Sequence, residues 1–438
     1  MAEILAILMF PCLLGFILLG YPVAFTLSGT AILFGALGSF LGVFSFMDFS
    51  FVPFRIFGII QNFTLLAVPL FVFMGLTLEK TGLAEDLLKT LGYLLRKQKG
   101  SLALAVVAVG GLLAASTGIV GATVVTMGVL SLPTMLNSGY GRSISTGTIA
   151  ASGTLGQIIP PSIVLIILGD MMGVDVGNLF IGSVIPGLIL LVLYFAYIKS
   201  YFIFTSNQSQ SPSHEYTPLD IHQIFATLAP PIALILLVLG SILMGIASPT
   251  EAAGCGAFAS ILVSTIKKRL SRSSLIQVCV ETSLITSMVF FVLIGAQFFG
   301  VVFRGLGGDD LVTDLLVGNS LGPQGALFLI MLTLFILGFF LDFLEICFIV
   351  IPIIYPIIKS LGFDPLWVAI LVALNLQTSF LTPPFGFALF YLKGVAPPTV
   401  KTTDIYKGVV PFIGIQLAVL ILIWVWPALV THLPRNIF

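Results

Sequence analysis

Two proline pairs interrupt long apolar segments of this 438-residue chain, and polar residues precede both pairs. The first pair is Pro160-Pro161, and the second is Pro383-Pro384. Because proline has no amide proton, main-chain carbonyls about one helical turn earlier lose their hydrogen-bond partners. Such carbonyls, with neighbouring hydroxyls, are the oxygen ligands that bind Na⁺ in discontinuous membrane helices. The sequence therefore predicts two broken helices, each with a candidate sodium site.

Candidate ligands of the first sodium site come from two segments. Thr154 lies just before the first proline pair, and Ser116 lies at the centre of a long apolar run rich in small and hydroxyl residues. Small residues at that centre would unwind a helix and free further carbonyls. The alternative is a glycine- and serine-rich face for helix packing, which is common in membranes. A proline pair in the middle of a span favours the sodium site, because freed carbonyls in a membrane need partners.

The same two breaks suit an anionic substrate. Half-helix N-termini present free amides and the positive end of the helix dipole to a carboxylate. Neither break contains Arg or Lys, so amide dipoles and bound Na⁺ would have to balance the charge. The candidate substrate-binding residues are Thr117, Gly118, Ser152, Gly153, Gln157, Asn375, Gln377 and Thr378.

Two carboxylates, Asp342 and Glu345, lie within a second long apolar run. Intramembrane carboxylates are costly and by default indicate a function. The alternative is that they cap a half-helix N-terminus and stabilise it by hydrogen bonds and by the helix dipole. The sequence leaves both alternatives open for Asp342 and favours capping for Glu345.

Composition excludes soluble and nucleic-acid-binding proteins. Hydrophobic residues make up 58% of the chain and charged residues only 8%, with a formal net charge of zero. A soluble domain has roughly 25% charged residues. The chain is therefore predicted to be an all-α polytopic membrane protein, since each span needs about 20 apolar residues and every backbone polar group must be paired in lipid. Neutrality gives no reason to expect nucleic acid as a partner.

Catalytic and metal-binding motifs are missing from the sequence. It has no HExxH, no GxSxG and no P-loop, and its four cysteines lie apart in apolar stretches. We therefore expect no transition metal, no organic cofactor and no enzymatic activity. An intramembrane enzyme that uses Asp342 and Glu345 is the competing class, but metal-ligand clusters are lacking. Energy for transport would come from an ion gradient or from a partner chain.

Two apolar runs, 101–137 and 325–358, are too long for one span each. One interpretation is a tilted helix plus an apolar loop, and the other is a re-entrant hairpin of two half-helices. Arg96, Lys97 and Lys99 precede the first run and Arg142 follows it, so both ends of that run would be cytoplasmic by the positive-inside rule. If both runs are hairpins, the side of the membrane assigned to every later loop agrees with the charge of that loop. The polar loop 206–224 is then cytoplasmic, and both termini are outside.

A constant offset of 223 residues relates Pro160 to Pro383, Pro133 to Pro356 and Gly139 to Gly362. Opposite flanking charge makes this an inverted-topology repeat, typical of secondary transporters. The broken helices are predicted at 143–169 and 366–392. The predicted domains are 1–63 (scaffold helices and interfacial arm), 64–205 (repeat 1), 206–224 (cytoplasmic loop), 225–275 (scaffold) and 276–432 (repeat 2). The amphipathic stretches 46–63, 80–99 and 303–324 are predicted to lie along the membrane interface.

Ordered motifs along nearly the whole chain resemble the large membrane subunit of tripartite ATP-independent periplasmic (TRAP) transporters, most closely the mannitol/chloroaromatic-type branch, whose members include carriers of 2-oxo acids and acidic amino acids. The motifs are Ala67-Val68-Pro69-Leu70-Phe71-Val72-Phe73-Met74-Gly75, the hairpin at 338–345, Gly153-Thr154-Leu155-Gly156-Gln157-Ile158-Ile159-Pro160-Pro161-Ser162, Leu179-Phe180-Ile181-Gly182 with Pro186-Gly187, Ser248-Pro249-Thr250-Glu251-Ala252-Ala253 and Leu381-Thr382-Pro383-Pro384.

The resemblance implies the inverted-repeat fold of the ion-transporter superfamily, working as an elevator that imports organic acids with Na⁺. It also implies a small four-helix membrane subunit, a periplasmic substrate-binding protein and a bacterial inner membrane. Carried over by position, Ser116 matches a sodium-site serine, and Gly338, Ser379 and Thr382 fall where the family builds a second sodium site. Ser379 stands where many relatives have glycine. An ion-coupled carboxylate carrier that works without a binding protein is the alternative function.

Overall fold

Every regular element in the described part of the chain is helical. The computed structural model describes residues 1–117, 120–205, 220–317 and 322–437, and of residues 114–117, 317 and 437 it describes the main chain only. The helices of the first half are α1 (Ala2–Leu18), α2 (Val23–Phe40), α3 (Phe51–Ile60), α4 (Ala67–Lys80), α5 (Leu83–Leu95), α6 (Ser101–Thr117), α7 (Val120–Asn137), α8 (Arg142–Thr154), α9 (Ile163–Met172) and α10 (Val176–Phe204).

The second half contains eleven further helices within the described ranges. They are α11 (Ile221–Leu243), α12 (Pro249–Ile266), α13 (Arg272–Gly305), α14 (Gly308–Val317), α15 (Gly322–Leu337), α16 (Phe343–Glu345), α17 (Ile351–Ser360), α18 (Pro365–Leu381), α19 (Phe387–Val395), α20 (Thr402–Val425) and α21 (Ala428–Ile437). A π-helical turn at Ile346–Val350 joins α16 to α17, so the two form one continuous helix.

Several of these helices have the length and hydropathy of membrane spans. Seven described helices qualify, and an eighth span results if the bent pair Phe46–Ile60 and Thr64–Lys80, which meets at 59°, is counted as one. The predicted all-α polytopic membrane fold is confirmed.

Both long apolar runs are divided into two helices, as the hairpin interpretation predicts. The first run forms α6 and α7, which pack against each other, and the second forms α15 and the α16–α17 helix. Both predicted broken helices are also present. Helix α8 is separated from α9 around Pro160-Pro161, and α18 is separated from α19 around Pro383-Pro384.

Local capping explains where several helices begin. Asp220 and Gln223 form a capping box, so α11 starts at Ile221, inside the polar loop predicted for 206–224. Ser248 and Glu251 form another capping box at the start of α12. The predicted interfacial stretches contain the short helices α3, α5 and α14.

The helices pack in two groups. In one group α2 lies along α13, and α4 lies against both α12 and α13. In the other group α8 packs along α20 and between α6 and α7, while α18 contacts α10, α15 and α20. Gly147 of α8 and Gly408 of α20 meet backbone to backbone, and a Cβ atom on either would overlap the other helix. Small residues permit this close approach, as they do at helix crossings in membranes.

Candidate functional site

The first break surrounds the two prolines and is buried except at Ile159, which is partly exposed. Helix α8 ends at Thr154, a 3₁₀ turn follows at Leu155–Gln157, and α9 begins at Ile163 after the cis Pro160-Pro161 bond. Ser162 precedes α9 and donates its hydroxyl to the Gln157 carbonyl at 3.0 Å. One carbonyl of the break is thus paired locally.

The predicted residues before this break lie within the packed helix α8. Ser152 donates to the Ile149 carbonyl at 2.9 Å, and Thr154 donates to the Ala151 carbonyl at 2.9 Å. Gly153 lies directly against Val124 of α7. The Gln157 amide is fully buried, and neither of its polar atoms has a hydrogen-bond partner among the described residues. The sodium role of Thr154 and the substrate roles of Ser152, Gly153 and Gln157 stay predictions.

The other predicted residues of the first site lie at the tip between α6 and α7. Ser116 and Thr117 belong to the part of α6 whose side chains are not described, and Gly118 lies in the undescribed link to α7. These three assignments therefore fall outside the described residues.

The second break brings two predicted sodium ligands together. A Cβ atom on Gly338 would lie only 2.5 Å from Ser379 Oγ, so the backbone at the end of α15 touches the Ser379 side chain. Ser379 Oγ donates to the Phe335 carbonyl at 2.7 Å, and Thr382 Oγ1 donates to the Thr378 carbonyl at 2.7 Å. A hydroxyl that donates its proton keeps its oxygen lone pairs available for a cation.

Two helix C-termini converge at this point. Helix α15 ends at Leu337 and α18 ends at Leu381, so their last carbonyls lie beside Gly338 and Ser379. The C-terminal end of a helix carries partial negative charge. The last four carbonyls of α15 are themselves paired, that of Phe335 with Ser379 Oγ and the other three with amides of residues 338–341. The predicted substrate residues farther up α18 are oriented by its packing, since Asn375 donates to the Met331 carbonyl at 2.8 Å and Thr378 donates to the Leu374 carbonyl at 2.8 Å.

Asp342 and Glu345 form a capping box at the start of α16. The Asp342 carboxylate accepts from the Phe343 amide at 2.8 Å, and the Glu345 carboxylate accepts from the Asp342 amide at 3.1 Å. This is the structural alternative that the sequence left open, and it satisfies amides that would otherwise be unpaired at a buried helix start.

A cavity of about 110 Å³ lies between the two groups of helices. One wall is formed by α4 and α13, through residues such as Val72 and Met288. The opposite wall contains the first residue of each of four helices, which are Val120 of α7, Ile163 of α9, Phe343 of α16 and Phe387 of α19. Four positive helix ends therefore face one cavity, and one of them is capped by Asp342.

Two polar contacts join the walls at either end of α4. Asn62 Nδ2 donates to Asp170 Oδ1 of α9 at 2.6 Å, and Thr126 Oγ1 of α7 donates to Glu79 Oε1 of α4 at 2.5 Å. The sequence predicts neither contact. A carboxylate near the end of an apolar helix was the available signal, but each partner lies on a distant segment.

The sequence analysis also missed Tyr194 and Gln416. Both are fully buried in long apolar spans, and Gln416 Nε2 donates to Tyr194 OH at 2.8 Å. An amide in the middle of a predicted span was the signal that could have found Gln416.

Hairpins, broken helices and a cavity lined by helix starts place this chain among polytopic secondary transporters. The sequence profile described as "Tripartite ATP-independent periplasmic transporter, DctM component" matches residues 10–429. The chain belongs to this family, which makes it the membrane-permease component of a tripartite transporter, one component of three.

Relatives named as permeases match nearly the whole chain. The "C4-dicarboxylate TRAP transporter large permease protein DctM" of Vibrio cholerae is 28% identical, with 98% of this chain and 97% of that protein covered. The "Isethionate TRAP transporter permease protein DctMQ" of Oleidesulfovibrio alaskensis is 30% identical over 94% of this chain, and this chain spans only 65% of its length.

A solved structure has the same fold. The YdaH transporter of Alcanivorax borkumensis superposes with a TM-score of 0.63 at 14% identity, covering 87% of this chain and 88% of that one. This likeness concerns the fold alone.

Proposed function

We propose that this chain is the transport subunit of a Na⁺-driven importer of organic acids in a bacterial inner membrane. It works by an elevator mechanism with a small four-helix membrane subunit and a periplasmic substrate-binding protein. The hairpins and broken helices form the moving part, and the group with α2, α4, α12 and α13 forms the scaffold.

The observation that carries the proposal is the cavity faced by four helix starts. The positive dipole ends of α9 and α19, neither of which has a side-chain cap, favour a carboxylate, the charged group of an organic acid. A cavity of about 110 Å³ is several times larger than the roughly 10–15 Å³ that one water molecule needs. The converging C-termini of α15 and α18 favour a cation nearby, at Gly338, Ser379 and Thr382.

Placement of the cavity between two packed groups supports alternating access. A rigid displacement of the hairpin group past α4 would carry Asp170 and Thr126 away from Asn62 and Glu79. Hydrogen bonds of 2.6 and 2.5 Å are lost after a shift of about 1 Å. Both contacts therefore belong to one position of the elevator.

The coupling ion is tested by uptake into proteoliposomes that contain the permease and its small subunit, with the binding protein outside. A panel of radiolabelled 2-oxo acids and acidic amino acids is offered with an inward Na⁺ gradient, with a K⁺ gradient of equal size, and without the binding protein. We expect saturable uptake only with Na⁺ and the binding protein. Uptake that needs no binding protein favours the alternative carrier, and uptake unaffected by Na⁺ contradicts the proposal.

The elevator is tested by cross-linking. In a chain whose four native cysteines are replaced by serine, Asn62→Cys with Asp170→Cys is joined by a short bismaleimide reagent. We expect uptake to stop because the two groups can no longer slide.

A pair within the scaffold is the matched control. Lys80→Cys with Glu281→Cys replaces a salt bridge of 2.8 Å between α4 and α13. The same reagent should leave uptake intact there. Full uptake by the cross-linked Asn62–Asp170 pair would rule out relative movement at this contact.

A further inference from the structure

Four buried polar side chains meet where the two halves of the chain pack together. Gln416 Nε2 of α20 donates to Tyr194 OH of α10 at 2.8 Å and to Thr154 Oγ1 of α8 at 3.3 Å. Gln377 of α18 faces the same Tyr194 hydroxyl. All four side chains are inaccessible to solvent. We call Thr154, Tyr194, Gln377 and Gln416 the polar quartet.

The polar quartet follows the internal repeat. Thr154 and Gln377 are 223 residues apart, the offset that also relates the two proline pairs, and each lies six residues before its pair. Tyr194 and Gln416 are separated by 222 residues, within one residue of the same offset. The first half of the chain thus contributes Thr154, beside its break, and Tyr194. The second half contributes Gln377, beside its own break, and Gln416.

Stability alone does not account for this cluster. Neither amide atom of Gln377 makes a hydrogen bond of normal geometry within the described residues, and Gln416 Oε1 has no partner there either. An unpaired amide buried in a core costs free energy, and an apolar side chain of the same shape would not incur that cost. The polar quartet therefore has more donors and acceptors than hydrogen bonds. It can form more than one hydrogen-bond arrangement.

Tyr194 is the side chain that allows the polar quartet to change from one hydrogen-bond arrangement to another. Its oxygen accepts from Gln416 Nε2, so its own proton can be donated to the Gln377 side-chain oxygen. A 180° rotation of the Gln416 amide would let Gln416 Oε1 accept that proton instead. Thr154 ends α8 at the first break, and Gln377 lies two residues before Ser379 at the second. A shift of either helix end therefore alters the hydrogen bonds available to the other.

We propose that the polar quartet couples the two breaks, with Gln416 and Tyr194 as positioning residues. A cation bound at one break fixes the hydrogen-bond arrangement that favours cation binding at the other. The inference rests on the Na⁺ coupling proposed above, and it adds a path by which the two sodium sites bind cooperatively.

The test is a Na⁺ titration of the purified permease in detergent, with choline chloride keeping the ionic strength constant and the binding of radioactive Na⁺, measured by scintillation proximity, as readout. The unsubstituted protein should respond with a Hill coefficient above 1. Gln416→Leu keeps a side chain of similar size and removes all its hydrogen bonds. We expect it to lower the Hill coefficient to about 1 and to raise the half-maximal Na⁺ concentration about fivefold or more, as loss of an ordinary coupling does.

Two further variants separate coupling from folding. Tyr194→Phe removes a single oxygen, and it should reproduce the effect even if Gln416→Leu does not fold. Ser183→Ala is the control, because Ser183 is equally buried in α10 but donates only within its own helix, to the Phe180 carbonyl at 2.8 Å. The Hill coefficient should not change there.

The outcomes are distinguishable. If the unsubstituted protein binds Na⁺ cooperatively and both quartet variants keep its Hill coefficient, the coupling is refuted and the proposed function stands. If the unsubstituted protein shows no saturable Na⁺ binding, the proposed Na⁺ coupling fails and this inference fails with it. A fall in the Hill coefficient in both quartet variants, with Ser183→Ala unchanged, supports the inference.

Discussion

Replacing Gly338 by alanine tests the close contact at the second break. Gly338 has no positive φ, so alanine fits its backbone and the effect is purely steric. The added Cβ would lie 2.5 Å from Ser379 Oγ and 2.9 Å from Ser379 Cβ, well inside the usual contact distance. Either α15 or α18 must move by several tenths of an ångström.

The magnitude follows from two opposing terms. Overpacking costs about 1–3 kcal/mol, and replacing glycine by alanine returns about 0.4–1 kcal/mol by restricting the unfolded chain. The net loss lies between about 0 and 2.6 kcal/mol and is about 1.3 kcal/mol at the middle of both ranges. If the Na⁺-bound arrangement bears this loss, the half-maximal Na⁺ concentration rises about ninefold at the middle value and at most about 70-fold, since about 1.4 kcal/mol is a factor of ten.

Two assays are needed, namely thermal unfolding in detergent without Na⁺ and a titration of radioactive Na⁺ binding. Gly300→Ala is the matched control, because Gly300 lies within α13 and a Cβ there meets nothing within 4 Å. The double variant Gly338→Ala with Ser379→Gly removes the clashing atoms and should regain part of the Na⁺-free midpoint. An unchanged or higher midpoint in Gly338→Ala would refute the predicted contact, and a double variant no better than the single would show that Ser379 is not its cause.

Two further predictions concern helix packing and capping. Gly147→Ala places a Cβ into the Gly408 backbone, so we expect no monodisperse protein by fluorescence-detected size exclusion; Gly414→Ala, with nothing within 4 Å, should elute normally. A normal profile for Gly147→Ala would contradict the crossing of α8 and α20. Asp342→Ala removes the side-chain cap of α16, so the free energy of unfolding should fall by about 0.5–2 kcal/mol and the unfolding midpoint with it, while uptake persists. Abolished uptake at an unchanged midpoint would instead support a direct role for the carboxylate.

Features governed by local chemistry were predictable from the sequence. The prolines alone do not locate the interruptions, because Pro230-Pro231 lies inside the continuous helix α11. The polar residues that precede Pro160-Pro161 and Pro383-Pro384 distinguish these two pairs, so both interruptions could be located before any packing was known. The division of both long apolar runs followed from the length of a membrane span. The capping box at Asp342 and Glu345 is also local, yet a carboxylate pair three residues apart has the same spacing whether it caps a helix or binds a ligand.

Partners distant in the chain were not predictable from the sequence. The sodium role of Thr154 stays a prediction, but the hydrogen bond that its oxygen accepts from Gln416, 262 residues away, could not be predicted. Asn62 and Asp170, 108 residues apart, likewise meet only because the bend before α4 reaches the end of α9. Such pairs depend on the angles at which helices cross, and those angles are fixed by close contacts such as that between Gly147 and Gly408.

The sequence by itself determined that this is a membrane protein with two interrupted helices related by an internal repeat, because apolar length and missing amide protons act locally. The tertiary structure alone decided that four helix starts share one cavity and that the C-termini of α15 and α18 meet at Gly338 and Ser379. The dipoles of several helix ends act on one ligand only when packing brings those ends together. The spacing of residues along the chain does not predict which helix ends will be neighbours.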